Sequence, residues 1–113
     1  MVKYTLCLHH GYLHQGQDFF FDLEIDVEMP VFPRKEESIF IGNIHNNGDY
    51  CTIDEVWHHP ATKRVIAEVK LLEDQLWLAV AAWKDIPGEK RLVGHTKGVK
   101  AKFLHFVEHP DEL

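Results

Sequence analysis

Residues 18–29 alternate between apolar and acidic side chains, and this alternation limits the possible folds more than any other feature of the chain. Successive side chains in a β-strand point to opposite faces, so a period of two predicts one long amphipathic strand. One parity holds Phe19, Phe21, Leu23, Ile25, Val27 and Met29; the other holds Asp18, Asp22, Glu24, Asp26 and Glu28, with Phe20 as its apolar exception. We therefore expect one face in the core and an acidic face opposite.

Further segments also have the composition and alternation of strands. They are residues 2–9, 38–41, 50–58, 63–72 and 99–107. The first should pair antiparallel with the acidic strand, because residues 11–17 are too few for a parallel crossover. Between residues 50 and 58 the alternation slips at Asp54 and Glu55, which a β-bulge would explain. In the last segment, Lys100 and Lys102 could face the carboxylates of the acidic strand.

Residues 75–83 fit two structures. A turn at positions 73 and 74 would fold them back on residues 63–72 as a hairpin, and this pairing accounts for more positions. It would place Lys70 opposite Trp77 and Arg64 opposite Trp83, which suits cation–π contacts. A short helix at residues 74–84 is the alternative, although it would be apolar nearly all round.

This pattern predicts a mainly β fold, namely a small antiparallel barrel or strongly bent sheet of six to seven strands. The 113 residues, 45% hydrophobic and 27% charged, predict a single globular domain over residues 1–113. The Asn- and Gly-rich residues 42–49 are predicted to be the most mobile loop. Part of the chain loosely resembles small SH3-like bacterial β-barrels, over less than half its length and without assigning a family. That part includes Pro33, Glu37, Ile39, Ile41, Tyr50, Ile53 and Val56.

Charge and cysteine usage narrow the cellular context. The formal net charge of −6 argues against nucleic acid as a partner, because polyanions would be repelled. Cys7 and Cys51 lie inside predicted strands and are expected to be buried thiols. We find no signal-peptide pattern and no apolar run near the roughly 18 residues needed to cross a bilayer. A cytoplasmic protein without membrane contact is the resulting expectation.

The nine histidines are an excess that raises the question of a metal site. We take His9, His58 and His59 as the candidate ligands, with zinc or another divalent metal as the ion. Their spacing lacks the helical frame of known histidine motifs, so scattered surface imidazoles are the competing interpretation, and no cofactor is required. Cys7 and His9 are also compatible with a thiolate–imidazole pair.

A set of aromatic side chains provides candidate binding residues. They are Phe20, Tyr50, Trp57, Trp77 and Trp83. Aromatic residues on an outer strand face can form a binding patch, whereas core packing is the alternative for the tryptophans. Phe20 stands out because its neighbours on that face are acidic, which indicates a partner, a covering loop or a second subunit.

The sequence contains no phosphate loop, nucleophile elbow or paired Cys-x-x-Cys. We therefore expect a non-enzymatic binding or assembly module that uses its acidic and aromatic strand surface and associates with a protein partner or with itself. The alternative is a histidine-based metal-dependent enzyme built in a β-barrel mouth.

Overall fold

The computed structural model describes the backbone of residues 1–14, 17–42 and 49–113, and the side chains of residues 1–11, 20–42 and 50–113. Its strands are β1 (Val2–His14), β2 (Gln17–Met29), β3 (Ser38–Gly42), β4 (Asp49–Thr52), β5 (Glu55–His59), β6 (Arg64–Leu71) and β7 (Lys90–Gly94). Its helices are α1 (Leu76–Asp85) and α2 (Val99–Glu108), with 3-10 turns at Glu73–Gln75 and Pro110–Glu112. The mainly β prediction is confirmed. The predicted mobile loop at residues 42–49 lies almost entirely outside the described residues.

The amphipathic strand is present as predicted. β2 pairs antiparallel with β1 from Val2 opposite Met29 to His14 opposite Gln17. Phe21, Leu23 and Ile25 are fully buried, as their parity requires. The strands extend further toward the connection than expected, because part of the predicted loop at residues 11–17 continues the ladder.

The five-stranded sheet has the order β5-β6-β1-β2-β7 and is mixed, not antiparallel throughout as predicted, since β6 runs parallel to β1. β3 and β4 form a separate two-stranded sheet. The described strands form an open sheet and do not close into a barrel, so the barrel is not confirmed. Parallel strands need a long crossover connection, and the chain between β2 and β6 is long enough to provide one. β6 therefore lies beside β1 on the side opposite β2.

The strand predicted over residues 50–58 is two strands in two different sheets. β4 pairs with β3, and β5 pairs with β6. Between them Ile53 is buried and exchanges backbone hydrogen bonds with the 36–37 segment, and the Asp54 carboxylate accepts from the Lys70 amide. The slip at Asp54 and Glu55 therefore marks a change of sheet and not a β-bulge.

The hairpin predicted over residues 75–83 is wrong, and the alternative helix at residues 74–84 is correct. Leu78, Ala79, Val80, Ala81 and Ala82 are all buried in α1. A helix that is apolar all round is stable when other elements surround it, and α1 contacts α2, β3 and β4. The two predicted cation–π pairs depended on the hairpin and are therefore wrong as well.

The final predicted strand at residues 99–107 is also wrong, because these residues form α2. Val99 and Phe103 are its buried residues, four positions apart on one helical face. The Phe103 ring packs against Phe21 and Trp83, at centroid distances of 5.0 and 5.8 Å. Residues 99–107 therefore fit both the strand alternation and the spacing of a helix, and packing against the rest of the fold favours the helix. Lys100 and Lys102 are consequently helical residues and not strand partners of β2.

β7 was not predicted. Of its five residues only Leu92 packs against the core, and the segment lies between glycine turn signals that favour a loop. Gly88 in the preceding turn has a φ of +135°, and a Cβ there would meet the Asp26 carbonyl oxygen at 2.0 Å. Glycine is therefore required where this turn passes β2. No helix in the described ranges has both the length and the apolarity to cross a membrane.

We expect Phe103→Ala to lower the free energy of unfolding by about 3–5 kcal/mol, because it leaves a cavity between α2, β2 and α1. Ala101→Gln is the matched control: Ala101 is exposed on the helix, although strand alternation would bury it beside Phe103. It should change stability by less than about 0.5 kcal/mol in urea unfolding. A loss of several kcal/mol from Ala101→Gln would contradict the position of α2.

Candidate functional site on the open face of the sheet

Both helices share one hydrophobic core with the inward residues of the five-stranded sheet. No described helix or strand covers the opposite side, which we call the open face. β1 and β2 bring to it the side chains Thr5, Cys7, His9, Asp22, Glu24 and Asp26, and the flanking strands add Arg64, Glu68 and Arg91. The open face is the acidic face predicted from residues 18–29.

Arg91 of β7 neutralises part of this face. Its guanidinium donates two hydrogen bonds of 2.8 Å to the Asp26 carboxylate and one of 3.1 Å to Glu24. Mainly through these hydrogen bonds, and against the effect of partial burial, Arg91 lowers the pKa of Asp26; Thr5 also donates to that carboxylate. The sequence analysis missed Arg91 because it missed β7.

Cys7, His9 and Asp22 form a compact group of metal-ligating side chains. Their donor atoms all lie within 4.8 Å of one another. The Cys7 Sγ is 3.9 Å from His9 Nδ1, and the same nitrogen is hydrogen-bonded to Asp22 Oδ1. Strand geometry explains the group, since Cys7 and His9 are two positions apart on β1 and Asp22 is the cross-strand partner of His9.

Two more side chains complete the surroundings of this group. Glu68 Oε1 of β6 lies 3.6 Å from His9 Nε2, the ring nitrogen that does not face Cys7. His95 Nε2, just beyond β7, lies 2.7 Å from Asp22 Oδ2. Each ring nitrogen of His9 and each oxygen of Asp22 therefore has a polar neighbour. The side chains of His9 and Asp22 remain 26% and 20% exposed, so the group can be reached from solvent.

The arrangement does not suit thiol catalysis by Cys7 and His9. A nucleophilic cysteine needs a base that receives its proton at one nitrogen while a carboxylate orients the other nitrogen. Here Cys7 and Asp22 meet the same nitrogen of His9. Burial, followed by the charges of Asp22, Glu24 and Glu68, raises the pKa of Cys7 to about 12, against an opposing effect of Arg64. The free thiol is therefore protonated at neutral pH and a poor nucleophile.

The structure places His58 and His59 away from His9. Both are exposed residues at the end of β5. On β6, His58 pairs with Val65, whereas His9 pairs with Lys70 five positions further along. At about 3.3 Å per residue this offset is about 17 Å along the strands. Cys7 and Asp22, which the sequence analysis did not propose as ligands, lie beside His9 instead.

Phe20 has intramolecular contacts that account for much of its unusual position. Its ring lies 5.0 Å from the His95 ring, and its backbone amide donates to the Thr96 hydroxyl. The ring also covers Gly11, where an added Cβ would meet Phe20 Cδ2 at 3.1 Å. Of the three explanations raised by the sequence, a covering segment is present at residues 95–96, and Phe20 remains 43% exposed.

The other predicted binding aromatics divide into surface and core residues. Trp57 is 51% exposed on β5 and Tyr50 is 62% exposed on β4. Trp77 and Trp83 pack against the hydrophobic core. Tyr50 and Trp77 both line a cleft of about 440 Å³ between β4, β6 and α1. The five aromatics thus form no single patch, and Trp57 alone among the tryptophans is largely at the surface.

No protein-family model matches the chain, no curated protein matches its sequence, and no solved structure matches its fold. The functional argument therefore depends on the residues themselves.

We expect Arg91→Gln to raise the pKa of Asp26 toward its ordinary value of about 3.9, because it removes the principal hydrogen-bond donor of that carboxylate. The free energy of unfolding at pH 7 should fall by no more than about 1 kcal/mol, because the pair is partly exposed. A depressed pKa stabilises the fold above the unfolded value, so the difference from wild type should disappear as pH falls through the folded pKa.

The titration of Asp26 can be followed by NMR of its carboxyl carbon. Lys97→Gln, in the exposed segment after β7, removes a positive charge without touching Asp26 and is the control. An Asp26 titration unchanged by Arg91→Gln would contradict the proposed cause of its low pKa.

Proposed function

We propose that this protein is a small non-enzymatic binding and assembly module that pairs with a second copy of itself along β5. The observation that carries this proposal is the position of Trp57, which is 51% exposed at the centre of an edge strand. Two free, buried cysteines support a reducing, cytoplasmic location for such a module.

β5 has the properties of a strand that can accept a partner. It is the last strand of the five-stranded sheet and pairs only with β6 among the described strands. An edge strand presents backbone N–H and C=O groups that another chain can pair with. Trp57 lies opposite the half-buried Ile66 on the open face, which gives the edge a partly apolar rim.

The sequence of β5 is complementary to itself. Antiparallel pairing centred on Trp57 places Glu55 opposite His59 of the second copy, and it brings the two Trp57 side chains together on the open face. A carboxylate can accept a hydrogen bond from an imidazole opposite it, and aromatic cross-strand pairs stabilise a sheet. Glu55 is 3.3 Å from Lys35 within its own chain, an exposed contact that leaves one carboxylate oxygen for the partner.

Such a contact would produce a closed pair. Both copies use the same surface, so the interface has two-fold symmetry and consumes both β5 edges. The other edge strand, β7, carries Lys90 and Arg91, and charged side chains on an edge discourage further pairing. We therefore expect a dimer and not a fibre.

We expect light scattering at increasing concentration to show twice the chain mass of 13.2 kDa. Trp57→Ser should shift this equilibrium to the monomer, because it removes the central aromatic contact. Tyr50→Ser is the matched control, since Tyr50 is at least as exposed but lies on β4. A wild-type chain that stays monomeric at millimolar concentration would refute the proposal.

A charge exchange provides a second, more specific test. Glu55→Arg and His59→Glu should each weaken the dimer, because the first removes the carboxylate that faces His59 and the second places two carboxylates opposite each other. The double variant should restore it, because it places an arginine opposite a glutamate, which is a complementary pair. Dissociation of the double variant to the level of the single variants would contradict the antiparallel register.

A further inference from the structure

We propose that Cys7, His9 and Asp22 form a binding site for a divalent transition metal of the zinc class. This inference is independent of the pairing along β5, because it depends on different residues and on the face of the sheet, not on its edge.

The donor set selects the type of metal. The protonated Cys7 thiol would release its proton to solvent on binding, as cysteine ligands do when they coordinate a metal. A thiolate, an imidazole and a carboxylate together are typical ligands of zinc and of the similar ions cobalt and nickel. Magnesium and calcium prefer oxygen ligands throughout. The combination of Cys7 and His9 should therefore discriminate strongly in favour of the softer ions.

The distances are close to those that a tetrahedral ion requires. Zinc–sulfur and zinc–nitrogen bonds of about 2.3 and 2.0 Å separate the two donor atoms by about 3.5 Å. Cys7 Sγ and His9 Nδ1 are 3.9 Å apart. Asp22 Oδ1 shares a hydrogen bond with the same nitrogen, so an ion would take the place of the shared proton. Three protein ligands would leave one tetrahedral position for solvent or a further ligand.

The neighbours of these ligands provide a second observation that points to a metal. Metal-binding histidines usually direct their other nitrogen to a carboxylate or carbonyl, and metal-binding carboxylates are themselves hydrogen-bonded. Glu68 faces His9 Nε2 at 3.6 Å, and His95 lies 2.7 Å from Asp22 Oδ2. Glu68 faces the His9 nitrogen that Cys7 and Asp22 do not share, and His95 faces the Asp22 oxygen that does not contact His9, so each neighbour would orient one ligand.

The charge of the open face also favours a cation. Five carboxylates and two guanidiniums lie there, which leaves three negative charges with the imidazoles neutral. They are Asp22, Glu24, Asp26, Glu68 and Glu89 against Arg64 and Arg91. Lys70 and Glu55, beside His9 and Glu68 on the same face, add no net charge. A divalent ion would offset most of this excess, and the half-exposed setting keeps the cost of its desolvation moderate.

The test uses the tag-free chain, stripped with a chelator and titrated with zinc chloride by calorimetry. We expect one ion per chain, and a sulfur-to-metal charge-transfer band when cobalt chloride replaces zinc. Cys7→Ser should abolish the cobalt band and weaken zinc binding by more than about 100-fold. His95→Gln, which removes the neighbour of Asp22 and keeps all three ligands, should weaken it about 10- to 100-fold.

His58→Gln is the matched control, because it removes an exposed imidazole that lies far from Cys7 and is not part of the proposed Glu55–His59 pair. It should bind zinc as tightly as wild type. Asp22→Asn, nearly identical in shape, repeats the test if Cys7→Ser fails to fold by circular dichroism. No zinc binding by wild type, a cobalt complex without the sulfur band, or equal loss in the control would each overturn the proposal.

Discussion

The register between β1 and β2 is the constraint on which the rest of the structure depends. Thirteen residues of each strand pair in unbroken order, from Val2 with Met29 to His14 with Gln17. A slip of one residue would turn Phe21, Leu23 and Ile25 to solvent and their acidic neighbours into the core. Burial of those three side chains, worth about 1.5–3 kcal/mol each, therefore also positions Asp22 beside His9. One register determines both the hydrophobic core and the candidate metal site.

The sequence predicted this hairpin because its evidence is local and periodic. The acidic face, the two buried thiols and the strand at residues 63–72 were likewise confirmed. The elements that it assigned wrongly are those whose environment is tertiary. α1 is apolar on every side because α2 and the small sheet surround it, and α2 alternates by coincidence while Phe103 packs on Phe21. Position along the chain does not reveal which neighbours will cover a segment, so periodicity alone could not decide these cases.

The candidate site shows the same limit. His9 was proposed as a ligand together with His58 and His59, because histidines are in excess and imidazole is the commonest metal ligand. The residues that lie beside His9 are Cys7, which shares its strand face, and Asp22, which is its cross-strand partner. Both could have been found by extending the predicted pairing of β1 with β2 to residue level, since opposite positions on one face lie about 5 Å apart. Glu68, His95 and Arg91 could not have been found in this way. Glu68 lies on β6, whose parallel pairing with β1 was not predicted, and Arg91 and His95 lie in and just after β7, which was not predicted.

The two proposed sites use perpendicular directions of the same sheet and can therefore coexist. Pairing along β5 employs backbone groups that lie in the plane of the sheet, whereas Cys7, His9 and Asp22 project from its face. β6 separates the two sites: Glu68 faces His9 and is also the cross-strand partner of Glu55. A dimer would place two open faces side by side in one continuous sheet, each with its own metal position. Strand pairing at the edge would then extend the acidic surface without covering it, so metal binding should not depend on the oligomeric state.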